Sequence, residues 1–285
     1  MVTNKEEILY ESPCWDDVRN CTWFVDVYRG RLLKLETDTI KEFFKFNFIL
    51  TSVNLCESNR LILTSQNIIF LFDPETLKLK KLHQFSFENS DMRINDCKVS
   101  NKGELIFSYF EDRKPRDLKG SIGIFEMCGS IRMLYVNQFV TPNGIALDGS
   151  SGVLWCADTG RSNIYQIDLK SHSSNGIEFG SEVIKLIQID PFIGRPDGAN
   201  LDALGNYWVA LHGGGRLGIL SPNGDLINEF TFLEPNPTMV CFSGAELNKI
   251  DITFKLHNEE NCTKTGIFRQ SSGTVGRLTH KFLDS

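Results

Sequence analysis

Short apolar runs alternate along this chain with turns rich in Gly, Asn and Ser, and helical spacing is almost absent. The clearest runs are Thr22-Trp23-Phe24-Val25-Asp26, Leu61-Ile62-Leu63-Thr64, Leu105-Ile106-Phe107-Ser108, Leu154-Trp155-Cys156-Ala157-Asp158, Tyr207-Trp208-Val209-Ala210 and Ile250-Asp251-Ile252-Thr253. They begin at residues 22, 61, 105, 154, 207 and 250, with gaps of 39, 44, 49, 53 and 43. Runs of four to eight such residues bounded by turn formers predict strands. After most of them comes a turn and a second strand ending on a polar cap, as in Arg31-Leu32-Leu33-Lys34-Leu35-Glu36, Ile69-Phe70-Leu71-Phe72-Asp73, Asn163-Ile164-Tyr165-Gln166-Ile167-Asp168 and Arg216-Leu217-Gly218-Ile219-Leu220. Repeated antiparallel units of about 40 to 50 residues predict a β-propeller of four-stranded sheets around an axis. The pattern runs through the chain without a linker, so the expectation is all-β: one six-bladed propeller domain over residues 1–285.

Superposed on this repeat are three stretches in which an oxygen-bearing residue lies beside Pro or Gly. They are Glu11-Ser12-Pro13, Thr141-Pro142-Asn143-Gly144 and Arg195-Pro196-Asp197-Gly198. Glu11, Asn143 and Asp197 lie ten or eleven residues before the strands that start at 22, 154 and 207, and Asn95 stands ten before 105. Taken singly, Asn or Asp before Gly is an ordinary turn former. The shared spacing argues instead for equivalent loops in different blades, converging on the axis. Two carboxylates and one amide oxygen are a hard donor set for a divalent cation. The expected metal ligands are therefore Glu11, Asn143 and Asp197, with Arg93 and Asn95 as substrate-binding residues. Ca²⁺ is favoured because every donor is oxygen, with Zn²⁺, Mn²⁺ or Mg²⁺ as alternatives.

Other signals fall away. Gly213, Gly215 and Gly218 match G-x-G-x-x-G, but the sequence that follows reads as a strand, so a hairpin turn is expected in place of a dinucleotide site. His83, His172, His212, His257 and His280 show no metal spacing, and His212 reads as part of a surface turn. No G-x-S-x-G elbow is present for a serine nucleophile. The aromatic run Phe43-Phe44-Lys45-Phe46-Asn47-Phe48 reads as strand and core.

Composition narrows the field further. Of 285 residues 41% are hydrophobic, enough for a substantial core, and the net charge of −6 gives no basic field for nucleic acid or an anionic membrane. No run reaches the roughly 18 apolar residues a membrane helix needs. The polar start, residues 1–7, lacks the features of a secretory signal, so the expectation is a cytoplasmic protein. The eight cysteines sit singly, mostly in apolar runs, and are expected as reduced buried thiols. The glycosylation patterns at Asn20 and Asn261 then read as chance matches.

In order along the chain, these motifs resemble the gluconolactonase, regucalcin and senescence-marker-protein family. The resemblance rests on Glu11-Ser12-Pro13-Cys14-Trp15 with Phe24-Val25-Asp26, Arg93-Ile94-Asn95-Asp96 with Lys98-Val99, Pro142-Asn143-Gly144 with Ala157-Asp158-Thr159, and Thr238 to Gly244. Its most specific part is Arg195-Pro196-Asp197-Gly198 followed by Asp202, Gly205-Asn206-Tyr207-Trp208 and Val209-Ala210. It implies a six-bladed propeller with a divalent cation held by Glu11, Asn143 and Asp197. It also implies lactone hydrolysis with Asn95 near the metal and Arg93 near the sugar. The chain departs from the family at Phe107-Ser108-Tyr109-Phe110, in the loop 111–119 and after Gly244, which leaves the sugar open.

The expected protein is thus a metal-dependent lactonase converting a gluconolactone-like sugar lactone to the aldonic acid, with Asp197 as the base. Its partner is a small sugar lactone, with no nucleic acid or membrane, and the oligomeric state stays open. A Ca²⁺-binding regulatory propeller without turnover, or a phosphotriesterase or esterase on the same scaffold, are the alternatives.

Overall fold

The computed structural model describes residues 7–170, 183–257 and 266–284. The first group of strands is β1 (Glu7–Asp16), β2 (Cys21–Asp26), β3 (Arg31–Glu36) and β4 (Thr39–Lys45). The second is β5 (Ser52–Leu55), β6 (Leu61–Thr64), β7 (Ile68–Asp73) and β8 (Lys78–Gln84). The third is β9 (Met92–Val99), β10 (Leu105–Glu111), β11 (Gly120–Phe125) and β12 (Ile131–Phe139). Next come β13 (Pro142–Asp148), β14 (Val153–Asp158), β15 (Asn163–Asp168) and β16 (Val183–Gln188). The fifth is β17 (Arg195–Leu201), β18 (Tyr207–His212), β19 (Arg216–Leu220) and β20 (Leu226–Thr231). The last group is β21 (Pro237–Ser243), β22 (Lys249–His257) and β23 (Ile267–Ser271). Among the described residues the only helical element is a 3₁₀ turn, Pro191–Ile193.

Groups two to five are each a four-stranded antiparallel sheet in sequence order, and the first and last join through β1 and β22 into one seven-stranded sheet. All six apolar runs picked out from the sequence lie inside β2, β6, β10, β14, β18 and β22. Burial falls from the first strand of a sheet to the last: β5 is wholly buried, whereas β8 and β20 are mostly exposed. Apolar clusters fill the spaces between consecutive sheets. Trp23 and Phe72 join sheets one and two, Phe107 and Ile69 two and three, Ile106 and Leu154 three and four, and Trp155 and Tyr207 four and five. A final cluster holding Trp208, Val240 and Phe24 returns from the fifth sheet through the last to the first. The first strands likewise touch in a cycle, β1 to β5, β9, β13, β17, β21 and back to β1. This all-β arrangement of four-stranded sheets is consistent with a propeller.

The aromatic run after Phe43 packs as expected, with Phe44, Phe46 and Phe48 against Phe70 and Phe72. Gly213 and Gly215, both at positive φ, make the hairpin between β18 and β19. Among the described residues seven cysteines are free thiols, six of them buried. Burial pushes Cys14, Cys21 and Cys97 up to about 12, so these thiols are poor nucleophiles. Cys262 and the Asn261 pattern lie outside the described residues, as do residues 258–264 of the departure after Gly244. Thiol labelling of protein unfolded without reductant and shielded from air should find all eight cysteines reactive; six or more oxidised would refute this.

Candidate active site among the first strands

The three oxygen-bearing stretches are not loops. Each lies inside a first strand and makes a β-bulge, where three steps on one strand oppose two on its neighbour. In β1 the shift falls between Glu11 and Cys14, in β13 between Asn143 and Ala146, and in β17 between Pro196 and Ala199. β9 carries the same defect between Ile94 and Cys97. The turn-like chemistry has a physical cause here, since a bulge needs unusual backbone angles. Ser12 and Gly144 both sit at φ 55. A bulge also re-aims side chains out of the pleat, which lets polar residues face the space inside the ring.

Register refines the expected equivalence. Glu11 and Asn143 are the last paired residues before their bulges, opposite Val25 and Ala157. Asp197 and Asn95 stand one step further on, inside theirs, because Pro196 and Ile94 take the paired position. The offsets of eleven and ten residues therefore mark two structural classes. Gly144 has a tight role: a Cβ there would lie 2.2 Å from the Tyr207 hydroxyl and 2.7 Å from the Asp197 carbonyl oxygen. Tyr207 Oη in turn donates to the Gly144 carbonyl at 2.6 Å.

Glu11, Arg93, Asn95, Asp96 and Asn143 line one cavity of about 20 Å³. Asp197 is outside that lining but within electrostatic reach of Glu11 and Asp96. Burial first, then the charges of Asp197 and Asp96, push the Glu11 carboxyl well above its usual range. Burial, then Asp96, pushes Asp197 up to about 8, and burial pushes Asp96 up to about 6. Among the described residues neither Glu11 nor Asp197 has a Lys or Arg partner at ion-pair distance.

The polar residues form a chain of hydrogen bonds. Asn95 Nδ2 donates to Asn143 Oδ1 at 2.9 Å and to the Pro142 carbonyl at 3.0 Å. Asn143 Nδ2 donates to Thr159 Oγ1 at 2.9 Å, and Thr159 Oγ1 donates to the Pro196 carbonyl at 2.7 Å. Arg93 donates from Nη1 to Asn95 Oδ1 at 2.8 Å and from Nε to Asp112 Oδ2 at 2.7 Å. Asn143, which lines the cavity, is thus held in a fixed orientation by Thr159 at its Nδ2 and Asn95 at its Oδ1.

Further side chains outside the expected ligand and substrate set also belong here. Asp112 bridges Arg93 and Arg116, and both guanidinium groups stack on Phe110 at 4.7 Å from its ring centre. Burial opposes the Asp112 charge, but the two arginines more than offset this and hold it below the usual carboxylate range. Asp96 Oδ2 accepts from the Ile145 backbone at 2.7 Å, fixing one bulge to the next. His212 corrects an expectation. It closes β18 with Nδ1 3.6 Å from Asp197 Oδ2, so it belongs to the site and not to a surface turn. In the departure segment, Ser108 Oγ donates to the carbonyls of Asp96 and Pro142, so this stretch supports the site.

Among the described residues no three His, Cys, Asp or Glu side chains converge at metal-ligand spacing. A set of two carboxylates and an amide holds only two such side chains, so that observation does not bear on it. The donor chemistry fits a hard cation: buried carboxylates with no Lys or Arg at ion-pair distance among the described residues, raised by burial and then by neighbouring carboxylates, beside a hydrogen-bonded amide.

The fold is that of a solved luciferin-regenerating enzyme, with TM-score 0.81 and 18% identity over 99% of this chain and 98% of that one. A solved calcium-binding regucalcin from Agrobacterium tumefaciens gives TM-score 0.81 and 20% identity, covering 96% and 94%. In sequence the chain is 25% identical to a 6-deoxy-6-sulfogluconolactonase of Pseudomonas putida, over 90% of this chain and 87% of that protein. The profile of the SMP-30/Gluconolactonase/LRE-like region matches residues 9–255, and the chain belongs to that family.

Proposed function

We propose that this protein is a single six-bladed propeller that hydrolyses a sugar lactone to its aldonic acid with the aid of one divalent cation. The observation that carries this reading is the set of buried, repelling carboxylates around an oriented amide at the ring of bulges. The names of relatives, among them a sulfogluconolactonase and a sugar lactone lactonase, support the substrate class. Blades one to five are read as the five sets of four strands, and β21–β23 as the sixth.

Glu11, Asn143 and Asp197 would hold the cation, Ca²⁺ first. A cation held there supplies positive charge that polarises the lactone carbonyl and acidifies a water. Arg93, locked by Asp112 and Asn95, orients the sugar hydroxyls. Asn95 fixes Asn143 and positions the carbonyl. Asp197 takes the proton of the attacking water, and His212 beside it offers that proton a path outward.

The test is hydrolysis of δ-gluconolactone by purified protein, corrected for the spontaneous rate. Turnover should be lost with chelator and restored by Ca²⁺ or Mn²⁺. Rates no higher than background on any sugar lactone would overturn the proposal in favour of a binding protein. Cation affinity should also fall with acid. The ligand carboxyls, Asp197 at about 8 and Glu11 raised well above its usual range, must lose protons to accept the cation, so affinity should drop by about tenfold per pH unit for each group below its own pKa, measured by calorimetry.

A further inference from the structure

The first strands enclose a second space, reaching from the β1 bulge at Ser12 and Pro13 along the strands past the other bulges. The segment 276–284 lies across it and is fixed to several sheets. Gly276 bridges Asp202, Arg277 Nη1 pairs with Asp148 at 2.8 Å, and Lys281 pairs with Asp17 at 3.1 Å. The Phe282 backbone donates to Leu55 at 2.8 Å, and Arg60 pairs with Asp284 at 2.8 Å. The covered cavity measures about 60 Å³. Water requires about 10–15 Å³ of such space, so it holds roughly four to six non-hydrogen atoms. That is room for one tetrahedral oxyanion.

Its lining is one-sided in charge. Lys98, Arg277 and His280 reach it together with Asn54, Asn200 and Thr279, and no Asp or Glu is among the lining residues. Lys98 has no carboxylate at ion-pair distance among the described residues. Asn54 is 4% exposed, and its Nδ2 has no hydrogen-bond partner among the described residues. A buried amide donor left unpaired costs about 1–3 kcal/mol, so a ligand acceptor is the natural partner. The acids nearby are otherwise engaged. Asp148 holds Arg277, and Asp96 accepts from Ile145 at the bulge end of β9. Burial, and then Arg277, lower the His280 imidazole below its ordinary range, consistent with a positive surrounding.

We propose that this cavity is a binding site for a single tetrahedral oxyanion, of the phosphate or sulfate class, held by Lys98, Asn54 and the His280 segment. The site meets the cavity of the proposed lactonase centre only at Ser12, which lines both, and stands or falls without that centre. Because three of its groups sit on 276–284, a bound oxyanion ties that segment to the first strands and stabilises the fold.

Sulfate gives the clean experiment, since its charge is constant across the histidine range. The His280 ring resonances, assigned by their loss in His280→Gln, are titrated by NMR in sulfate, in phosphate, in acetate and in potassium chloride of equal ionic strength. Sulfate and phosphate should raise the His280 pKa by about one unit over the chloride control, and acetate should not. Lys98→Met should abolish the rise. No rise in the wild-type protein, an equal rise with acetate, or a full rise in Lys98→Met would each overturn the proposal. The wild-type titration decides the matter even if the lysine variant fails to fold.

Discussion

Asp197→Asn should lower lactone hydrolysis by about 10²–10⁴-fold, the usual cost of losing a general base, while leaving the protein folded. Asparagine keeps the volume and one donor oxygen at the bulge of β17 but cannot take a proton. Buried and pushed up to about 8 by its desolvation and by Asp96, Asp197 carries a charge that is costly when no cation is bound. Its replacement should therefore leave the cation-free protein at least as stable. In the wild-type enzyme the rate should fall as pH drops through the base's own pKa, and in the variant that acid limb should vanish. Asn95→Ala should cost less, because its amide positions Asn143 and transfers no proton. Arg93→Ala should mainly raise KM if the guanidinium holds ground and transition states alike. Wild-type turnover by Asp197→Asn at saturating cation would remove Asp197 from the role of base.

The repeat was legible in the sequence because strand alternation and turn residues are local signals. The runs around Trp23, Leu63, Phe107, Trp155, Trp208 and Ile252 all fall in strands. The bulges were legible only as turns. Ser12-Pro13 and Asn143-Gly144 carry the backbone chemistry of a turn, and nothing local says that pairing resumes two residues later. Asp112 and Arg116 reach the site from the 111–119 loop, and His212 from the end of β18. Their position depends on sheet packing across the ring, which no spacing along the chain encodes. The same holds for 276–284, whose mixed polar and apolar residues show no period. Its contacts with Asp17, Leu55 and Asp148 join residues more than a hundred positions away, and its bridge to Asp202 spans 74.

Glu11→Gln should separate stability from function with opposite signs. Glu11 is buried, and its carboxyl is raised by desolvation, then by Asp197 and Asp96. The folded state therefore keeps a proton that the unfolded state loses near 4.5, the ordinary glutamate value. Between that value and the raised folded one, cation-free stability falls as pH rises. Glutamine has no proton to lose, so the variant's melting temperature should exceed that of the cation-free wild type, by a margin that widens from pH 4.5 upward. With cation the order should reverse. A ligand at 100 times its dissociation constant stabilises by about 2.7 kcal/mol, and the wild type should gain this from added Ca²⁺. The variant, with one donor charge removed, should gain far less and lose lactone turnover with it. Melting curves of both proteins, with chelator and with Ca²⁺, read the two effects independently of activity. If Ca²⁺ raises both melting temperatures equally, Glu11 is not a ligand, and the cation site must be sought among other oxygens of the ring.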